Sequence, residues 1–87
     1  MAQLGADVEQ LDQLAARFRS TADEIGQMVN QLGTQIHSAW WQGPDADRFK
    51  SEWDGTYRAQ LQNVCSRLQD TAQVITRQAS QQRQASG

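Results

Sequence analysis

The stretch Trp41-Gln42-Gly43-Pro44 divides this 87-residue sequence into two halves that both read as long amphipathic helices. Pro44 is the only proline and follows a glycine. Gly43 suits an N-cap, and Pro44 suits the first helical position, where an N–H would have had no intrahelical partner. Asp45 and Asp47 then load the first turn with negative charge, at the positive end of the helix dipole. The stretch therefore ends one helix and starts another. A connection this short, residues 40–43, makes the two helices antiparallel neighbours.

Upstream of the break, Leu4, Val8, Leu11, Ala15, Phe18, Ala22, Ile25, Val29, Leu32 and Ile36 follow one another at alternating spacings of four and three. That is the seam of a heptad pattern. Leu14 and Met28 widen it into the broader stripe of a bundle helix. Asp7 with Gln10 resembles a capping box, so the first helix is expected over residues 7–39, about 50 Å at 1.5 Å per residue. Gly26 and Gly33 lie inside it, either on a solvent face or where another backbone approaches closely. Downstream, Ala46, Phe49, Trp53, Tyr57, Leu61, Val64, Leu68, Ala72, Ile75 and Ala79 again fall at helical spacing. Consecutive fours around Tyr57 locally relax a left-handed supercoil. The second helix is expected over residues 44–79, with 80–87 as a frayed tail because they contain no large apolar residue.

Composition limits what such a hairpin does alone. An apolar share of 38% is low for a self-sufficient domain of this size, which usually requires a disulfide, a metal or oligomerisation. Cys65 is the only cysteine and His37 the only histidine, so one chain supplies neither a disulfide framework nor a His/Cys metal cluster. Oligomerisation remains. Two helices side by side cover only part of each other's stripe, and an exposed apolar strip of that length marks an association surface. The expected fold is all-α: an antiparallel helical hairpin that dimerises into a four-helix bundle. Leu11, Phe18, Ile25, Val29, Leu32, Trp53, Tyr57 and Leu68 are the residues expected in the dimer interface.

Charge and hydropathy exclude other classes. The net charge of −2 disfavours nucleic acid, and Arg58, Arg67, Arg77 and Arg83 read as a solvated helix face. No apolar run reaches the roughly 18 residues of a membrane span. Residues 1–7 lack the basic and apolar segments of a secretory signal peptide, so secretion would proceed without a cleavable signal, from a cytoplasmic folded state.

Trp41-Gln42-Gly43 between two heptad-patterned helices, with Ala46 and Phe49 following, resembles the hundred-residue WXG family of type VII secretion substrates. The resemblance covers nearly the whole chain. It implies a helix-turn-helix hairpin that pairs with itself or with a related WXG-type protein. It also implies folded export by an ATPase-driven membrane machine, with the Trp and Gly of the turn, Trp41 and Gly43 here, forming part of the export signal. The family's second element, a Tyr followed four residues later by Asp or Glu, has no match: Tyr57 lies within the second helix and Leu61 occupies that spacing. The alternatives of another class are a cytoplasmic chaperone hairpin that masks the N-terminal helices of a larger toxin, and a membrane-active effector.

No catalytic constellation is legible. Asp23 and Glu24, or Asp45 and Asp47, are helix-surface pairs without a base or nucleophile at working spacing. Cys65, beside Val64 and near Leu68, reads as an inert, partly buried thiol, and His37 as a solvent-facing complement to a helix C-terminus. Trp40 and Trp53 read as core or interface. No cofactor and no enzymatic activity is expected.

Overall fold

The computed structural model describes residues 5–86, all in helices apart from residues 5–7 and 39–43. Helix α1 spans Val8–Ser38, α2 spans Pro44–Glu52, a π-helical turn spans Trp53–Tyr57, and α3 spans Arg58–Ser86. The last three form one continuous rod, antiparallel to α1. Leu4, the first residue of the apolar stripe, and Gly87 lie outside the described residues.

Local chemistry accounts for the boundaries. Asp7 caps α1, its Oδ1 accepting from the Gln10 N–H at 3.1 Å. At the other end the Ala39 N–H still reaches the Gln35 carbonyl, after which the backbone turns extended. Gly43 has φ 127° and ψ 171°, a conformation in the positive-φ region that side chains disfavour. Its carbonyl accepts the first bond of α2, from the Asp47 N–H at 3.0 Å.

Packing decides the rest. Ala15, Ala22, Ala72 and Ala79 are each at most 2% exposed, a row of small side chains that brings the axes of α1 and α3 close together. Val29 and Trp53, 5% exposed each, and Ala46, 1% exposed, complete the buried set toward the turn. The antiparallel register is pinned at two points on one edge. There Arg19 Nη2 donates to Thr76 Oγ1 at 2.9 Å, and Arg83 forms an ion pair with Asp12. At 64 × 20 × 14 Å the molecule is one helix thick, since a helix with side chains measures about 10–12 Å across. It has no second layer to enclose a core.

Two features of the second helix differ from expectation. The second helix does not stop at residue 79 but continues to Ser86. Gln, Ala and Arg are good helix formers, and this end is held by buried Ala79, half-buried Gln82 and the Arg83–Asp12 pair. The consecutive fours around Tyr57 are absorbed by a π-helical turn, in which the Arg58 N–H bonds to the Trp53 carbonyl five residues back. Of the residues expected between protomers, Val29 and Trp53 are already covered inside one hairpin. Trp40, expected in core or interface, stands 88% exposed on the connection.

Gly26 and Gly33 separate in the same way. A Cβ at Gly26 would meet open space, whereas one at Gly33 would lie 3.2 Å from Trp53 Nε1. Gly33 is where another side chain approaches the backbone closely; Gly26 is not.

Candidate functional site

Two surfaces stand out, one apolar and one mixed. The first follows from the heptad rows. Ala15, Ala22 and Val29 face α3, so the adjacent row Leu11, Phe18, Ile25 and Leu32 lies to one side, with Leu14 and Met28 beyond it. Leu11, Phe18 and Ile25 are half-buried, whereas Leu14, Met28 and Leu32 are exposed. On α3, half-buried Leu61, Leu68 and Ile75 and exposed Val64 occupy the corresponding rows. The ion pair and hydrogen bond that pin the register lie on the opposite edge, so this side is open along the hairpin.

At the turn the open side meets a row of aromatic rings. Trp41 and Phe49 have ring centroids 5.7 Å apart and tilted, and Phe49 and Tyr57 follow at 6.4 Å. These are distances at which aromatic pairs attract. Lys50 Nζ donates to the Trp41 carbonyl at 3.2 Å, tying the connection back onto α2. Tyr57 donates its hydroxyl proton to Glu52 Oε2 at 3.1 Å. That hydrogen bond, together with the Glu52 charge, holds the phenol above its ordinary pKa. Trp41 is 43% exposed, so its indole packs on one face and offers the other to solvent.

The remaining expected residues fall as follows. Phe18, Ile25, Leu32, Tyr57 and Leu68 border the open side, and Leu11 extends it toward the N-terminus of α1. Trp41 and Gly43 sit together in the connection, one presenting a ring and the other setting the backbone. Gly43→Val should destabilise the fold by about 1–3 kcal/mol, the cost of forcing a side chain into a sparsely populated backbone region. The Cβ itself would meet no neighbour within 4 Å, so the strain is conformational. Denaturant melts of Gly43→Val and Gly43→Ala check this, with both variants expected to show the penalty.

The second surface was not legible in the sequence. On the edge away from the open side, Val29, Asn30, Gly33, Thr34, His37, Trp53, Asp54 and Arg58 line a groove of about 490 Å³. His37 Nε2 meets Asp54 Oδ1 at 2.8 Å across it, with both side chains about half exposed. No group of His, Cys, Asp and Glu placed to hold a metal occurs among the described residues. No helix of the described residues is long and apolar enough to cross a membrane.

The chain matches the model of the WXG100 family, described as proteins of 100 residues with WXG, over residues 3–85. The chain belongs to the WXG100 family. Comparison with curated proteins and with solved structures yields no match. The WXG100 family is associated with type VII secretion substrates, and its members are small, secreted, non-enzymatic proteins that typically form homodimers or heterodimers. The WXG tripeptide of this chain is Trp41-Gln42-Gly43, the connection already described. In this WXG100 protein the tripeptide's indole closes the aromatic row, and its glycine supplies the one positive φ among the described residues.

Proposed function

We propose that this WXG100 protein is a non-catalytic substrate or adaptor of a type VII secretion system that works as a dimer. Its partner is a second copy or a related WXG-type protein. Two hairpins pair through the open sides into a four-helix bundle, and the Trp41–Gly43 connection is recognised by the ATPase of the secretion machine. The observation that carries this reading is the open apolar side on a molecule one helix thick, running into the aromatic row at the WXG connection. Half-buried and exposed apolar residues continuous over both helices suit coverage by a second helical layer. Trp41, packed on one face and free on the other, has the character of an interface anchor.

The test separates folding from export. Trp41→Ala removes a half-exposed ring, so the helicity and sedimentation behaviour of the wild type should persist. Export into the medium should fall roughly thirtyfold if recognition loses an aromatic anchor worth about 2 kcal/mol. Wild-type export of a folded Trp41→Ala protein would remove this ring from export. Retention of the folded wild-type protein in the cytoplasm would instead favour the hairpin as a mask for a larger toxin.

A further inference from the structure

The open side is flanked on α1 by the row Gln10, Arg17, Glu24 and Gln31, each one position before a member of the Leu11–Phe18–Ile25–Leu32 row. All four are exposed. Arg17 and Glu24 carry opposite charges, and neither has an ion-pair partner among the described residues. Their own helix cannot supply one. The residues three and four positions from Arg17 are Gln13, Leu14, Ser20 and Thr21, and those from Glu24 are Ser20, Thr21, Gln27 and Met28, all uncharged.

The row complements its own reversal. Read forwards it is Gln, Arg, Glu, Gln; turned end for end it offers an acid to the base, a base to the acid and glutamine to glutamine. A two-fold axis crossing α1 close to Ser20 performs that reversal. Antiparallel helices related by such an axis pair residues equidistant from it. Arg17 then meets Glu24 of the second copy and Glu24 meets its Arg17, the reciprocal contact of an isologous interface. The same axis sets Leu11 against Met28, Leu14 against Ile25 and Phe18 against Thr21, each twice. All six are half-buried or exposed in the single hairpin, so these layers cover what the hairpin leaves open. Other arrangements do not match the charges. In a parallel pairing Arg17 faces Arg17. Against α3 of a second copy it faces the corresponding flank Gln60, Arg67, Val74 and Gln81, which holds a cation and no acid.

We propose that the partner covering the open side is a second copy of this chain, joined α1 to α1 in antiparallel orientation, with Arg17 of each copy paired to Glu24 of the other. This rests on the reading of the open side as the dimer interface, and it names the occupant as the chain itself instead of a related WXG-type protein. The apolar layers hold the dimer together. The flanking charges, each exposed and individually weak, select the partner and its direction.

Charge reversal in the full-length protein tests this. Arg17→Glu and Glu24→Arg each turn two attractions per dimer into two repulsions, so either variant alone should dimerise about tenfold to thirtyfold more weakly than the wild type at low salt. Both positions are exposed, and circular dichroism should show unchanged helicity. Mixed together, the two variants should pair with each other at near wild-type affinity, and the double variant should recover the wild-type dissociation constant. Sedimentation equilibrium reads the affinities, and native mass spectrometry resolves the mixed dimer from the two parents. High salt should shrink the differences. A wild-type dimer whose affinity is the same in both single variants, or variants that show no preference for each other, would overturn the proposal. So would a wild-type chain that stays monomeric alone and dimerises only when a related WXG-type protein is added. That last result would leave the open side as the interface and the proposed function standing.

Discussion

Trp53→Ala should lower the unfolding free energy by about 3–5 kcal/mol, the range for deleting a buried Trp or Phe side chain and leaving its cavity. Among the described residues the other near-fully buried ones are four alanines on the helix seam, Ala46 and Val29, so Trp53 is the one large side chain in that set. Its ring fills the space over Gly33 and joins the C-terminal part of α1 to the π-helical turn. Small domains have only about 5–15 kcal/mol in total, and each kilocalorie moves the melting temperature of a 60–100-residue domain by about 4–8 °C. The expected fall is therefore tens of degrees. Circular dichroism melts at one fixed protein concentration measure it, because association itself stabilises the folded chain. Trp53→Phe should recover part of the loss. A shift of less than about 4 °C for Trp53→Ala would correspond to under 1 kcal/mol and would place the ring outside the core.

Ile25→Asp should have the second largest effect, and on association more than on the hairpin. Ile25 is half-buried by α3 and borders the open side. In the proposed bundle a partner covers the rest of it, and an aspartate there would be desolvated without a counter-charge. A penalty of about 3 kcal/mol per interface raises the dissociation constant by more than a hundredfold. Leu32→Asp, 46% exposed in the single hairpin, should dissociate the dimer with a smaller effect on the hairpin itself. Sedimentation velocity across a concentration series should show both variants as monomers where the wild type is dimeric. Asp23→Ala, on the polar side of α1, should leave the distribution unchanged. If Ile25→Asp and Leu32→Asp keep wild-type size and helicity, the open side is not the interface.

The two predictions lean on different kinds of information. The Ile25 row was legible in residue spacing, because a heptad pattern needs only the chain's own periodicity. Trp53 was legible as an apolar helical residue, but its destination was not. Spacing assigns Trp53, Tyr57 and Leu68 to one stripe without distinguishing the part that a hairpin covers from the part it leaves for a partner. The consecutive fours at Trp53, Tyr57 and Leu61 signalled one residue too many for a regular seam. Such a surplus is absorbed either by relaxing the supercoil or by a π-helical turn, and the choice rests on contacts with α1. Here Trp53 packs over Gly33 and Asp54 meets His37, and the turn is π-helical. The same limit explains the C-terminal end of α3. Residues 80–86 look unanchored by composition, but Arg83 finds its acid at Asp12, 71 positions away in the chain.

By itself, then, the sequence determined the helices, the break between them and the WXG identity, because capping, proline placement and heptad spacing are properties of neighbouring residues. Only the tertiary structure decided which apolar row is used up inside the hairpin. The alanines at 15, 22, 72 and 79 draw the helices together, and that close approach buries Val29 and Trp53 while leaving Leu14, Met28, Leu32 and Val64 outside. It also opened the groove at Gly33, since a glycine facing an indole across two helices is a contact that no local pattern encodes.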